Sequence, residues 1–240
     1  MNEQLFQLVT DYKAPSSAHE IASAHPSLNF AGPTGAGKGT LVTYLTQTGD
    51  YAPVVSDTTR APRPHNDGFE VNGVAYWFID EDTAVKKVSE KAYIEVKAVH
   101  QKTMYGTSVE AYEKVVQAGR TPILEIDVQG MEELMNHFPE FEAIFLLPPD
   151  FETWQARLDG RGRMQLEEKV QRLRSACVEI GVLLNNPAFY PVINTEVIDT
   201  AKLIATNAYK DEEYREAALT VAKEILEQTE KFLSSLNETN

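Results

Sequence analysis

Apolar residues in this chain fall into two recurring patterns. Short, nearly unbroken apolar runs at residues 28–31, 54–56, 74–79, 92–96, 121–126, 143–147 and 192–194 predict strands. Between them lie stretches whose apolar positions recur every three or four residues, at 40–45, 108–118, 131–137, 151–158 and 167–184, which predicts helices. Gly119 stops one of these helices, and Pro148-Pro149 closes the run at 143–147. Residues 60–73 are rich in Pro, Gly, Asn and Asp and predict a loop. Residues 1–25 hold two weak helical stretches split by Lys13-Ala14-Pro15, and Ser17 and Glu20 have capping-box spacing. Near the other end, Tyr214, Ala218, Val221, Ile225, Phe232 and Leu236 share one face of an amphipathic helix, expected to pack on Leu5, Phe6, Leu8 and Val9 or on a second subunit. Apolar strands alternating with helices predict an α/β fold with a mostly parallel sheet. Ligands of such sheets bind beyond the carboxyl ends of the strands. A glycine-rich segment after residue 31, Ser56, Asp127 and Asn194 all stand at such ends.

Composition narrows the function. The chain has 240 residues, enough for a sizeable core, and carries 36 acidic against 22 basic side chains, a net charge of −14. Such a balance disfavours general nucleic-acid binding, which needs a basic surface. Several of the arginines cluster, at Arg60 and Arg63 and again at Arg157, Arg161, Arg163, Arg172 and Arg174. A protein this acidic that binds a polyanion must concentrate its positive charge in that way. Cys177 is the single cysteine, so no intramolecular disulfide forms and a reducing cytoplasm suits the chain. No apolar run approaches membrane-spanning length, and the first residues lack the basic start of a signal peptide, so no membrane partner is expected.

The segment Gly32-Pro33-Thr34-Gly35-Ala36-Gly37-Lys38-Gly39-Thr40 has the spacing of a phosphate-binding P-loop, between an apolar run and a helical stretch. Its glycines let the backbone curl so that several N–H groups face an anion, and the helix N-terminus adds partial positive charge. Lys38 brings a full charge to the outer phosphates. Gly39 stands where the usual Ser or Thr would be, and the hydroxyl falls at Thr40. Mg2+ is therefore expected to be held mainly by phosphates and water.

A second motif addresses the acceptor. In Ser56-Asp57-Thr58-Thr59-Arg60-Ala61-Pro62-Arg63, the two arginines can grip one phosphate from two sides, and Ser56 and Tyr76 can add hydroxyl donors. With Glu70, Gly73, Tyr76 and Phe78, this stretch resembles the substrate segment of the guanylate kinase family, S-x-T-T-R-x-P-R followed by E-x-x-G-x-x-Y-x-F. The resemblance runs over about residues 28–205. Tyr93-Ile94-Glu95 is similar to the family segment whose Glu contacts guanine, and Tyr105-Gly106-Thr107 to its Y-G-[ST] element. Residues 124–130, with Glu125 and Asp127, resemble its [DE]-I-D-x-Q-G strand end. Residues 157–162 with Arg172 are similar to its lid, and Asn194 to an Asn near adenine.

The resemblance implies a P-loop kinase with an inserted nucleoside-monophosphate-binding subdomain and an arginine-bearing lid. It divides the chain into an N-terminal helical extension (1–25), a core (26–55, 118–155 and 173–210), a GMP-binding subdomain (56–117), a lid (156–172) and a C-terminal helix (211–240). It implies ATP held by residues 32–40 and Asn194, and GMP held by Ser56, Arg60, Arg63, Glu70, Tyr76, Glu95, Tyr105, Thr107, Glu125 and Asp127. Transfer would rest on Lys38, Arg157, Arg161 and Arg172, with Mg2+ reached by Asp127 through water. Guanine suits this set: Glu95 can accept from its N1–H and 2-amino group, Thr107 can donate to O6, and adenine would leave these groups unpaired. The expected reaction is ATP-dependent phosphorylation of GMP, and of dGMP, by a cytoplasmic monomer or homodimer. Six residues, 64–69, separate Arg63 from Glu70 where the family usually has two, and Asn194-Thr195-Glu196 replaces N-D-D. The longer loop keeps open another phosphorylated acceptor such as a ribose bisphosphate. A non-catalytic interaction module of the same family is the third reading.

Overall fold

In the computed structural model, residues 1–65, 68–99, 101–139, 141–160 and 165–237 are described. In chain order the elements are α1 (Glu3–Thr10), α2 (Ser16–Ala24), β1 (Leu28–Ala31), α3 (Lys38–Thr48), β2 (Tyr51–Pro53), β3 (Asp57–Thr58), β4 (Pro64–His65), β5 (Gly68–Phe69) and β6 (Trp77–Phe78). Then follow α4 (Glu81–Ser89), β7 (Tyr93–Val99), β8 (Thr103–Ser108), α5 (Val109–Gln117), β9 (Thr121–Glu125), α6 (Val128–His137) and β10 (Glu142–Leu147). The chain continues through α7 (Phe151–Asp159), α8 (Leu166–Asn185), β11 (Phe189–Ile193), α9 (Val197–Ala205) and α10 (Glu212–Asn237). It forms two compact units, one of Met1–Ser27, Asp50–Ile123 and Asn136–Phe141, the other of Leu28–Gly49, Leu124–Met135 and Glu142–Asn240. No helix of the described residues is long and apolar enough to cross a membrane.

In the first unit a four-stranded sheet has the order β6-β3-β8-β7. The antiparallel pair β7 and β8 sets Tyr93 opposite Ser108 but Glu95 opposite Thr107, so β7 carries a bulge between them. Ser108 ends β8 and caps α5, accepting from the Ala111 N–H at 3.2 Å. The N-terminal helices belong to this unit. Asn2 caps α1 through the Leu5 N–H at 2.8 Å, which frees Leu5 and Val9 to bury with Ala84, Val88, Tyr93 and Met104. β2 runs parallel to the first residues of β9, Tyr51 opposite Thr121 and Pro53 opposite Ile123.

In the second unit β1, β10 and β11 are parallel, Leu28 opposite Glu142 and Ala143 opposite Phe189. The chain leaving β9 lies beside β1, the Ile126 N–H donating to the Phe30 carbonyl at 3.1 Å. Ala143 through Leu147 are fully buried, as a strand covered on both faces requires. The α8 stripe Leu173, Ala176, Ile180 and Leu183 is buried, and α10 packs on α7, α8 and β11. Within its own unit, the apolar face of α10 thus packs on these elements, while Leu5 and Val9 of α1 pack within theirs.

Several local expectations are corrected. The run at 54–56 is not the strand: pairing with β9 places it at Tyr51–Pro53, and Val54 continues it by one bond to the Ile123 carbonyl at 2.9 Å. The strand read at 74–79 shrinks to Trp77–Phe78, because Gly73 at φ +78° and the Val74 and Ala75 N–H bonds to Val71 form a turn. The loop at 60–73 holds an antiparallel hairpin, Pro64 opposite Phe69 and His65 opposite Gly68. The capping box at Ser17 does not form, since Pro15 is the N-cap of α2 and Ser17 lies within the helix. Polar Thr103–Ser108, not anticipated as a strand, pairs with β3 and β7.

Candidate active site

The glycine-rich loop of the second unit is held from beneath. Gly32 has φ +127°, and a Cβ there would stand 2.3 Å from the Leu146 carbonyl oxygen of β10. Gly37, the N-cap of α3, has φ +96°, and its Cβ would stand 2.2 Å from the Asn194 amide nitrogen. Both positions therefore require glycine. Asn194 donates to the Ala36 carbonyl at 2.8 Å and accepts from Thr200 at 2.9 Å, so its side chain braces the loop. Trp154, fully buried on α7, donates from its indole N–H to the Thr34 carbonyl at 2.8 Å. The Lys38 ammonium donates to the Gly32 carbonyl and, at 3.3 Å, to that of Pro33.

Arg157 of α7 donates through Nη2 to the Asn194 and Thr195 carbonyls, each at 3.0 Å. Its Nη1 is buried and, among the described residues, has no hydrogen-bond partner. That nitrogen lies 3.9 Å from the place a Cβ on Gly37 would take. A charged donor left unpaired beside a glycine-rich loop fits an anionic oxygen. Glu125, at the end of β9, is solvent-reachable but hemmed in: desolvation pushes its carboxyl above the ordinary value while the Lys38 charge pulls it down. Asp127 caps α6, accepting from the Gly130 N–H at 2.9 Å. Arg172 of α8 donates to Glu168 one turn earlier at 2.6 Å. Arg161 falls in 161–164, outside the described residues.

In the first unit two groups of polar side chains form. Arg60 meets Glu70 through both terminal nitrogens, at 2.6 and 3.1 Å, and reaches the Tyr105 hydroxyl at 3.0 Å. Its guanidinium carbon lies 5.2 Å from the Tyr76 ring centre and 5.7 Å from that of Phe78. Glu70 also accepts from the Arg63 backbone N–H at 2.7 Å, while the Arg63 side chain is exposed. Beside Arg60, the Glu70 carboxyl is held below the usual carboxylate range. In the second group, Glu95 accepts from the Thr107 hydroxyl at 2.6 Å and its N–H at 3.0 Å, and Ser56 stands 3.1 Å from the same hydroxyl.

The sequence-derived residues thus separate by unit. Ser56, Arg60, Glu70, Tyr76, Glu95, Tyr105 and Thr107 gather in the first. Lys38, the loop glycines, Arg157 and Asn194 gather in the second, which also contains Glu125, Asp127 and Arg172. Two contributors went unread in the sequence. Trp154 gave one signal, a large indole on an apolar helix face whose N–H needs a partner. Glu179 of α8 feels the positive charge of Lys38 and the negative charge of Asp127, and burial raises its carboxyl above the ordinary value. An acid on the face of α8 shared with Ala176 and Leu183 was its signal.

A parallel sheet feeding a glycine-rich, lysine-bearing loop into a helix N-terminus defines a P-loop protein of the α/β class. The family model described as guanylate kinase matches residues 27–211. The chain is 39% identical to guanylate kinase of Leifsonia xyli over 72% of its own length and 66% of that protein. It is 37% identical to guanylate kinase of Bifidobacterium longum, covering 72% of this chain and 87% of that one. The crystal structure of guanylate kinase from Anaplasma phagocytophilum superposes with a TM-score of 0.54 at 24% identity, over 79% of this chain and 88% of that one. The chain belongs to the guanylate kinase family.

Proposed function

We propose that this protein transfers the terminal phosphate of ATP to GMP, and to dGMP, yielding the nucleoside diphosphate and ADP. The observation that carries the acceptor is the Glu95–Thr107 pair, a carboxylate and a hydroxyl joined at 2.6 Å with Ser56 beside them. Guanine offers adjacent donors at N1 and the 2-amino group to such a carboxylate and an acceptor at O6 to such a hydroxyl. Arg60 and Arg63 would hold the acceptor phosphate, with Tyr76 and Tyr105 framing it and Glu70 keeping the Arg60 fork oriented. At the donor, the backbone of residues 32–40 would receive the phosphates, and Lys38 would exchange its loop carbonyls for them. Arg157, whose Nη1 has no partner among the described residues, would neutralise charge on the transferring group, joined by Arg161 and Arg172.

Mg2+ favours hard oxygen ligands and keeps several waters when it binds nucleotides. Glu125, at the end of β9 where it feels the Lys38 charge, and Asp127, which caps α6, fit that demand, and Asp127 would reach the ion through water. Bound there, the metal would supply charge neutralisation along the phosphates. The single Cys177 supports a cytoplasmic setting. Neither a ribose bisphosphate acceptor nor a non-catalytic module is favoured by a particular contact.

ADP release measured with GMP, dGMP, AMP, CMP, UMP and ribose bisphosphate as acceptors tests the reading. GMP should exceed AMP by about 10⁴-fold in kcat/KM, the scale of hydrogen-bonded base discrimination. Equal turnover of AMP, or turnover of the sugar bisphosphate alone, would overturn it.

A further inference from the structure

The family match begins at residue 27, so α1 and the residues after it lie outside it. Yet one side chain from that segment reaches the strand that carries Glu95. Tyr12 follows α1, and its hydroxyl both donates to the Tyr93 carbonyl at 2.6 Å and accepts from the Tyr93 N–H at 2.9 Å. β7 is the edge strand of its sheet. At Tyr93 the Tyr12 hydroxyl therefore takes the place a further strand would occupy, satisfying both backbone groups of one residue.

Tyr93 is where the pairing of β7 with β8 shifts register. A bulge of this kind re-aims the side chains that follow it, and an edge strand with unpaired backbone holds such a kink loosely. Glu95 is the next residue of β7 in register, two positions on, and faces Thr107. The same Tyr93 extends its phenol to Asp57 at 2.7 Å, and Asp57, 2% exposed, also binds Lys87 and adjoins Ser56. Tyr93 thus joins β7, which carries Glu95, to Asp57 of β3, the neighbour of Ser56, and pairs with Ser108 of β8, the neighbour of Thr107, and Tyr12 fixes Tyr93. The tyrosine rings meet edge to face, 6.4 Å between centres, and the Lys91 ammonium lies 4.7 Å from the Tyr12 ring centre. Burial chiefly, and the negative charge of Glu95 in addition, raises the Tyr12 phenol above its ordinary value, so the hydroxyl stays protonated and able to donate.

We propose that Tyr12 is a positioning residue for acceptor recognition: its hydroxyl locks the β7 bulge at Tyr93 so that Glu95 and Thr107 meet the guanine base. The inference rests on the reading of GMP as acceptor. It assigns a role in substrate choice to a segment outside the family match, acting through Tyr93 rather than by touching the nucleotide.

Tyr12→Phe keeps the ring and removes the hydroxyl. The expected result is a rise of about tenfold in KM for GMP, about 1.4 kcal/mol, with kcat and KM for ATP within twofold of the parent and a reduced preference for GMP over AMP. Val9→Ala, which loosens the same core and leaves the hydroxyl, is the control for lost stability. It should lower Tm without moving KM for GMP. An unchanged KM in Tyr12→Phe, or the same KM rise in Val9→Ala, would overturn the proposal. Hydrogen exchange on the unaltered protein provides a second reading should Tyr12→Phe not fold. Saturating GMP should slow exchange of the Tyr93 N–H together with that of Thr107, and ATP alone should slow neither. Unchanged exchange at Tyr93 while Thr107 is protected would equally overturn it. Failure of the parent enzyme to phosphorylate GMP at all would instead remove the reading of function.

Discussion

At the scale of single residues, charge and backbone geometry make the sharpest demands. Lys38 is the one full positive charge inside the glycine-rich loop, and here it rests on the Gly32 and Pro33 carbonyls. Lys38→Ala should lower kcat by about 10²–10³-fold or more, the scale of losing one preorganised charge contact. The circular dichroism spectrum should not change, and near-parental kcat would remove its catalytic role. The loop glycines divide by their surroundings. Gly37→Ala forces a left-handed φ on alanine and drives its Cβ into Asn194, so it should lower stability by about 1–3 kcal/mol in urea unfolding. A Cβ at Gly39 would meet nothing within 4 Å, and the backbone there has no left-handed φ. Gly39→Ser should therefore fold normally and gain about 0.5 kcal/mol from helix propensity within α3. Loss of stability there would show that the loop tolerates no side chain at that place.

Among elements, the hairpin β4–β5 and the helix α10 are additions whose attachments can be tested separately. Glu70 follows β5 and ties the flanks of the hairpin to Arg60 and the Arg63 backbone. Its folded-state carboxyl lies below its ordinary value, chiefly through the Arg60 hydrogen bonds. Its stabilisation is therefore fully present above about pH 4.3, the ordinary glutamate value, and is lost as pH falls through the lower folded value. Urea midpoints measured at pH 6 and at pH 3 should fall more steeply in the parent than in Glu70→Gln, and equal slopes would contradict the pairing. α10 buries Ala218, Ala222 and Ile225, sets Phe232 against Phe151 of α7 with ring centres 5.9 Å apart and planes tilted by 58°, and receives the Ile193 N–H at the Tyr214 hydroxyl. Ile225→Ala should cost about 2–5 kcal/mol, since the site is fully enclosed. A cost below half that, read from chemical unfolding, would mean that α10 only rests on the surface.

For the whole molecule, the two compact units carry different halves of the proposed chemistry, and each should answer to its own ligand. Saturating GMP should slow amide exchange in β3, β7 and β8, and saturating ATP should slow it at residues 32–40. GMP protection confined to residues 32–40 would reassign the acceptor. Either ligand at a hundredfold excess over its Kd should add about 2.7 kcal/mol of apparent stability, a rise in Tm that vanishes on dilution.

What the sequence determined by itself was whatever depends on neighbours along the chain. Glycine spacing around Lys38 announced the loop, since a left-handed φ is a property of single residues. Apolar runs such as 143–147 announced buried strands, and the helix at 167–184 came within a residue of α8, because periodicity is local. Arg60, Glu95 and Thr107 were singled out from short motifs, whose spacing is local along the chain. Tertiary structure alone decided which of these residues are held, and by what. Asn194 and Trp154 reach the loop across 158 and 120 positions of sequence, and Tyr12 reaches Tyr93 across 81. The bulge at Tyr93 depends on which strand β8 presents, and the turn at Gly73 cut short a run whose apolar pattern favoured a strand. A hydrogen bond between distant residues leaves no periodic trace, since each partner alone is an ordinary polar side chain. Only the folded chain brings Tyr12 to the backbone of Tyr93 and leaves Nη1 of Arg157 buried and, among the described residues, unpaired.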